Sequence, residues 1–132
     1  MELTDRFLKY VSIDTQSSEE NEAQCPSTDK QRDLARYLYG ELQAIGLTEV
    51  EMDEHSYAMG TIPATPGYED RPVIGFISHV DTSSAVSGKD VKPIVTHNYD
   101  GSAVVMAEGR KLDPEEFPDL ANHVGKTLIC SD

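Results

Sequence analysis

The sequence predicts an α/β fold, a mixed β-sheet flanked by helices, from two kinds of apolar pattern. Residues 2–11 and 34–45 carry apolar side chains at the three-and-four spacing that places them on one face of a helix. Residues 73–77 form a short apolar run rich in β-branched and aromatic side chains, which is typical of a buried strand.

The two helices have different boundary signals. The first is expected to run from about Glu2 to Val11, where its apolar face ends. The second is expected to begin near Thr28, because Gln31 follows three residues later as in a capping box, and to end at Gly46. The polar stretch between the helices is expected to be an ordered surface loop, with the framing of a substrate cleft as its functional alternative.

The remaining apolar runs predict strands. A proline at position 114, directly after an aspartate, adds a short helical turn before the last of them. The expected strands are residues 50–54, 57–65, 73–77, 93–99 and 127–130, with 73–77 in the centre of the sheet, and residues 104–107 form a further short apolar run.

His79 and Asp81 come directly after the central predicted strand and are the main candidate functional residues. Residues two apart on an extended chain point to the same side, so the imidazole and the carboxylate are expected to face each other. A metal-ligating histidine commonly donates its second ring N–H to a carboxylate, which orients the ring. A histidine at a strand end that merely hydrogen-bonds a nearby aspartate would have the same pattern.

Charge and composition exclude several classes of function. The chain has 24 acidic and 11 basic residues, a net charge of −13, which disfavours binding to nucleic acid or to anionic membranes. No segment has the length and apolarity of a membrane span, and the first residues lack the pattern of a signal peptide. Cys25 and Cys130 are far apart and fit free thiols, so a cytoplasmic location is expected.

The motifs of several enzyme classes are absent. The sequence has no glycine-rich phosphate loop, no Gly-x-Ser-x-Gly and no His-Glu-x-x-His. Nucleotide binding of those kinds, serine hydrolysis and thermolysin-like zinc chemistry are therefore not expected.

Five segments together resemble one enzyme family, the co-catalytic zinc exopeptidases of the aminoacylase/carboxypeptidase G2 type. Within that family the resemblance is greatest to the tripeptide aminopeptidases. Order and spacing carry the resemblance more than any single motif does. The segments are Phe7–Ser17, Thr61–Thr65, Ser78–Thr82, Asn98–Gly101 and Gly125–Asp132.

The resemblance implies a reaction and roles for three residues. Family members hydrolyse short peptides with two zinc ions per active site. His79 corresponds to a zinc ligand, Asp81 to the catalytic-site carboxylate that orients it, and Asn98 to a weaker candidate for substrate contact. The bridging aspartate, the general base and the other ligands are expected beyond Asp132.

The resemblance also implies how the whole protein is organised. Residues 1–132 correspond to the N-terminal part of the catalytic domain of a longer chain. The rest of that domain, and a lid or dimerisation domain, are expected downstream, with a homodimer as the expected assembly. The 132 residues alone are predicted to be inactive and to bind zinc weakly.

Two other functions remain open at this point. An amidohydrolase of the same fold would act on N-acyl amino acids instead of tripeptides. A non-catalytic α/β binding module would use His79 and Asp81 only structurally.

Overall fold

The structure is a computed structural model that describes residues 2–21, 23–106 and 109–131. The chain divides into two compact units. The central unit comprises Ile13–Lys89, and the terminal unit combines the residues up to Ser12 with those from Asp90 onward.

The central unit is built on one helix and one hairpin. Helix α2 (Gln31–Ala44) is followed by strands β1 (Thr48–Met52) and β2 (Ala58–Thr61), which pair antiparallel and contact the helix. The register runs from Thr48 opposite Thr61 to Met52 opposite Ala58, with an irregularity between Thr48 and Glu51. The helix buries Leu34 and Ala35. Of the apolar face that the helical spacing predicts, Leu34 is buried, Leu38 and Leu42 are half-buried, and Ile45, just past the helix, is exposed.

The terminal unit has its own small core. Helix α1 spans Leu3–Val11, β3 (Ile94–Thr96) pairs antiparallel with β6 (Leu128–Cys130), and β4 (Val104–Val105) pairs with β5 (Lys111–Leu112). A 3-10 helix lies at Pro118–His123. The core side chains of this unit are Tyr99, Val104 and Leu120, with Leu112, Leu128 and Cys130 packed against them.

The expectation of an α/β protein is confirmed at the level of its content of helices and strands. The described strands form three separate two-stranded antiparallel sheets, and an isolated parallel bridge joins Gln16 to Thr82. A single mixed sheet is therefore not formed by the residues that the structure describes. A strand needs a neighbouring strand to pair its N–H and C=O groups. Each described strand pairs with one other strand only, so no larger sheet is built.

The predicted central strand at 73–77 is wrong for this structure. These residues have no regular secondary structure, and Val73, Phe76 and Ile77 are 97%, 95% and 99% exposed. An apolar run indicates side chains that become buried when another part of the protein packs on them. The run itself does not show that such a part is present.

The predicted helix boundaries have mixed outcomes. Helix α1 agrees with its prediction to within a residue. The capping box of α2 is wrong, because the Thr28 hydroxyl donates to the Gln16 carbonyl at 2.9 Å and the cap residue, Lys30, makes no side-chain cap bond. A tertiary acceptor thus takes the hydroxyl that the local pattern assigns to the helix.

The remaining element predictions are broadly confirmed, with altered bounds: the strand predicted at 50–54 lies two residues earlier, at Thr48–Met52, and others are shorter. The strand predicted at 57–65 ends at Thr61, before Pro63, whose missing N–H cannot join a sheet. The run 104–107 is a strand at Val104–Val105, and its last residue lies outside the described residues. Within the described ranges no helix has the length and apolarity needed to span a bilayer, and Cys25 and Cys130 are both free.

Candidate metal-ligand site at His79 and Asp81

His79 and Asp81 lie together, as their spacing predicts. The Nδ1 atom of His79 is 3.1 Å from Oδ1 of Asp81 and 3.1 Å from the Asp81 carbonyl oxygen. Both residues belong to a segment of the central unit without regular secondary structure, between the exposed run 73–77 and the loop 82–88. The contact that the i, i+2 spacing predicts is therefore present although the strand that suggested it is not formed.

This contact has a chemical consequence for the ring. With its hydrogen on Nδ1, His79 donates to the carboxylate and presents the lone pair of Nε2 outward. The structure gives Nε2 no hydrogen-bond partner among the described residues. The arrangement is that of an oriented histidine with one nitrogen available to a metal ion.

The pair is open to water. The His79 side chain is 85% exposed and that of Asp81 is 45% exposed. Solvent screens the attraction between such groups, so the contact by itself orients the ring only weakly. Additional packing or additional ligands are needed to hold the ring firmly.

The described residues supply one ligand position and not a complete metal site. Among residues 2–21, 23–106 and 109–131, no group of three or more His, Cys, Asp or Glu side chains is placed to hold a metal ion. A neutral imidazole with a carboxylate behind it still fits zinc, which binds histidine nitrogen readily. The other ligands of a zinc site would have to come from outside the described residues.

A strap of residues before α2 holds the chain directly after Asp81. The Thr82 N–H donates to the Thr15 carbonyl at 3.2 Å, and the Ser17 N–H donates to the Thr82 carbonyl at 2.9 Å. Thr15 is 2% exposed, which is unusual for a polar residue in a loop. Sequence reasoning treated this stretch as a surface loop and missed the contact, which joins residues 65 to 70 positions apart and leaves no local pattern.

Asp14 and Lys30 form an ion pair at the base of this strap. The Lys30 Nζ atom is 2.9 Å from Oδ1 of Asp14, and both side chains are partly buried. Burial raises the pKa of Asp14, but the hydrogen bond from the Gln16 N–H and the charge of Lys30 outweigh it. The net effect is that the pKa lies below its usual value of 3.8.

Asn98 lies in the terminal unit, in the connection that follows β3. It is exposed, and its backbone has a φ of +50°, a left-handed conformation that asparagine tolerates better than most residues. Asn98 lines a cleft of about 280 Å³, together with the buried Tyr99 and with Asp100 and Ser102. A role in substrate contact stays a prediction.

The comparisons with known proteins give one consistent result. No family model matches the chain. Proteins named peptidase T match it closely: that of Alkaliphilus oremlandii is 50% identical, that of Listeria monocytogenes serotype 4b 48% and that of Aliivibrio fischeri 47%. Each match covers 98–99% of this chain.

Across nearly its whole length, this chain is homologous to peptidase T. The chain spans 32% of the length of these curated relatives. The homology confirms the resemblance to a peptidase that the five sequence segments carry. His79 and Asp81 thus lie, in contact with each other, in a chain whose curated relatives are peptidases.

Proposed function

We propose that this chain is the N-terminal portion of a metallo-aminopeptidase that removes the N-terminal residue from tripeptides, with two zinc ions per active site. The observation that carries the proposal is the identity of 47–50% to proteins named peptidase T over 98–99% of the chain. The contact between His79 and Asp81 supports it, because it presents the imidazole as a ligand.

Each of the two residues has a defined task in this proposal. His79 offers the lone pair of Nε2, while its Nδ1–H donates to the Asp81 carboxylate. Asp81 thereby favours one tautomer and limits rotation of the ring. When bound, the two zinc ions supply Lewis-acid polarisation of the scissile carbonyl and activation of water.

The proposal extends to the organisation of the whole protein. The 132 residues form the N-terminal part of a zinc-exopeptidase catalytic domain with a mixed sheet flanked by helices, and further chain completes that sheet. The exposure of Val73, Phe76 and Ile77 supports this part, because so long an apolar run is expected to lie under a cover. A lid or dimerisation domain, a homodimeric assembly and a cytoplasmic location complete the proposal.

The substrate class is tested with the whole natural gene product. An unblocked tripeptide, a dipeptide and an N-acyl amino acid are incubated with the enzyme, and the released residues are identified by mass spectrometry. We expect release of the N-terminal residue from the tripeptide at a rate well above that for the other two. Cleavage of the N-acyl amino acid alone would indicate an amidohydrolase, and absence of cleavage of all three would indicate a binding module.

A further inference from the structure

The loop 82–88, which follows Asp81, receives two hydrogen bonds from the Gln16 side chain, and the Ser84 hydroxyl also donates to the Glu19 carboxylate at 2.6 Å. The Nε2 atom of Gln16 donates to the Ser84 carbonyl at 3.1 Å and to the Val86 carbonyl at 3.0 Å. A glutamine amide has two N–H donors, and this geometry uses both on carbonyls two residues apart. Gln16 thus joins two positions of the loop through one side chain.

Gln16 is itself anchored to the start of α2. Its Oε1 atom lies 3.4 Å from Nζ of Lys30, the residue at the helix cap, and its carbonyl accepts the hydroxyl of Thr28 at 2.9 Å. Its N–H donates to Oδ1 of Asp14 at 3.0 Å. Side chain and backbone of Gln16 are therefore both held in place, which preorganises the amide for the loop.

The segment 15–17 also hydrogen-bonds to Thr82, the residue next to Asp81. Gln16 and Thr82 form a parallel bridge, in which Thr82 bonds to Thr15 on one side and to Ser17 on the other. The Ser17 hydroxyl adds a second bond to the Thr82 carbonyl at 2.9 Å. Movement of the loop 82–88 is thereby restricted where the chain leaves Asp81.

We propose that Gln16 is a positioning residue, which holds the loop 82–88 and through it keeps the Asp81 carboxylate against His79. The proposal rests on the proposed peptidase function. Asp81 and His79 are exposed, so their own contact is too weak to fix the ring, and the strap supplies the restraint that they lack. Loss of a carboxylate that orients a metal ligand typically reduces metal affinity or activity 10- to 100-fold.

Three variants of the whole natural gene product isolate this role. Gln16→Ala removes both bonds to the loop. Gln16→Glu keeps the size and the acceptor for Lys30 but has no N–H donor, and it serves where the alanine variant does not fold. Gln43→Ala is the matched control, because the Gln43 amide donates only to the hydroxyl of Tyr39 on the same helix.

The first readout is independent of catalysis. Hydrogen exchange is followed by mass spectrometry in the metal-free protein, over peptides that cover the loop 82–88. We expect exchange there to be about ten-fold faster in both Gln16 variants and unchanged in Gln43→Ala, because loops without such bonds open more often. Unchanged exchange in the Gln16 variants would overturn the inference.

The second readout is the division between kcat and KM for a tripeptide at saturating zinc, per folded and zinc-loaded site. We expect kcat to fall about ten-fold in both Gln16 variants while KM stays within about two-fold. A merely structural role would reduce the amount of folded enzyme and leave kcat per site unchanged. If the wild type is active and the Gln16 variants have the same kcat and KM as Gln43→Ala, the inference alone is overturned. If the wild type is inactive, both the proposed function and this inference are overturned.

Discussion

At the scale of single residues, the central feature is a histidine whose two ring nitrogens have different surroundings. Nδ1 of His79 contacts Asp81 at 3.1 Å, while Nε2 faces solvent. His55 is also exposed and also has an acidic neighbour, Glu54, at 3.7 Å. Proximity to an acid therefore does not distinguish the two histidines, but their sequence context does.

This similarity provides a matched pair of variants in the whole natural gene product. His79→Ala is expected to reduce kcat/KM for a tripeptide by more than about 100-fold and to lower the zinc content, because a ligand is lost. His55→Ala is expected to change kcat/KM by less than about two-fold, as for a surface substitution. Steady-state kinetics and elemental analysis measure both effects, and equal losses in the two variants would contradict the assignment of His79.

Asp14 gives a pH-dependent prediction. Its pKa in the folded chain is below the value of 3.8 that it has when unfolded, so its ionised form stabilises the fold. This contribution is present above the unfolded pKa and is lost as the pH falls through the folded pKa. Asp14→Asn keeps an acceptor for the Gln16 N–H and removes only the charge, so we expect a loss of up to about 1 kcal/mol at neutral pH.

Urea unfolding of the 132-residue chain at a series of pH values measures this loss. The difference between wild type and Asp14→Asn should be constant above about pH 5 and should shrink as the pH falls below 3.8. Asp29→Asn is the control, because the Asp29 side chain is 86% exposed and should contribute almost nothing. A difference that grows at low pH would contradict the sign of the shift.

The functional pair could be predicted from sequence because its geometry is local. The contact joins residues two apart in the chain, and it forms without a sheet around them. The Gln16 contacts could not be predicted, because they join the loop 82–88 to a segment about 70 residues earlier. Thr28 illustrates the same limit, since its hydroxyl fits a helix cap by pattern but bonds to Gln16 in the fold.

At the scale of elements, helix α2 has one glycine within it and one just after its end, and the two are expected to affect stability in opposite ways. Gly40 lies inside the helix with no atom within 4 Å of an added Cβ, while Gly46 follows the helix with a φ of +89°. Gly40→Ala is expected to raise the free energy of unfolding by about 1 kcal/mol, because alanine favours the helix. Gly46→Ala is expected to lower it by about 1 kcal/mol, because a left-handed conformation disfavours a Cβ.

Thermal and urea unfolding of the two variants, side by side with the wild type, measure these opposite changes. Neither position contacts the candidate site, so the effects should be confined to stability. Destabilisation by Gly40→Ala would show that the helix is packed against something at this position.

The exposed run 73–77 leads to a prediction about self-association. In the 132-residue chain, Ile77 is 99% exposed within a contiguous apolar run, whereas Ile62 is 81% exposed outside that run. Ile77→Lys is expected to reduce binding of a hydrophobic dye and self-association, because a charge interrupts an apolar strand-forming segment. Ile62→Lys is the control and should change both properties much less.

Dye fluorescence and sedimentation velocity measure both properties in the isolated chain. In the whole natural gene product, the run is proposed to be packed under further chain. Ile77→Lys is then expected to lower the free energy of unfolding, because the lysine would be buried. An Ile77→Lys variant that is as stable as the wild type in the whole protein would contradict the proposed cover.

At the scale of the whole molecule, most helices and strands could be predicted from the sequence, but the pairing of the strands into sheets could not. Helix α1, helix α2 and strand β6 follow from local periodicity and agree with the sequence to within a few residues. The arrangement of strands depends on which segments find partners, and residues 73–77 pair with no strand among the described residues. Apolar pattern alone could not reveal this.

The proposed division of the active site predicts that the 132 residues are inactive by themselves. His79 supplies one candidate ligand, with its ring at 3.1 Å from a carboxylate, and a two-zinc site needs several more ligands than the described residues bring together. We expect no tripeptide cleavage by the isolated chain and only weak zinc binding in calorimetry. Chelator-sensitive peptidase activity of the isolated chain would contradict this prediction.

The most direct test of the central claim is an assay of the whole natural gene product. Release of the N-terminal residue from an unblocked tripeptide is measured before chelation, after chelation and after zinc is restored. We expect activity that is lost on chelation and recovered with zinc. Activity that persists without metal, or no release of the N-terminal residue under any metal, would contradict the proposal of a two-zinc aminopeptidase.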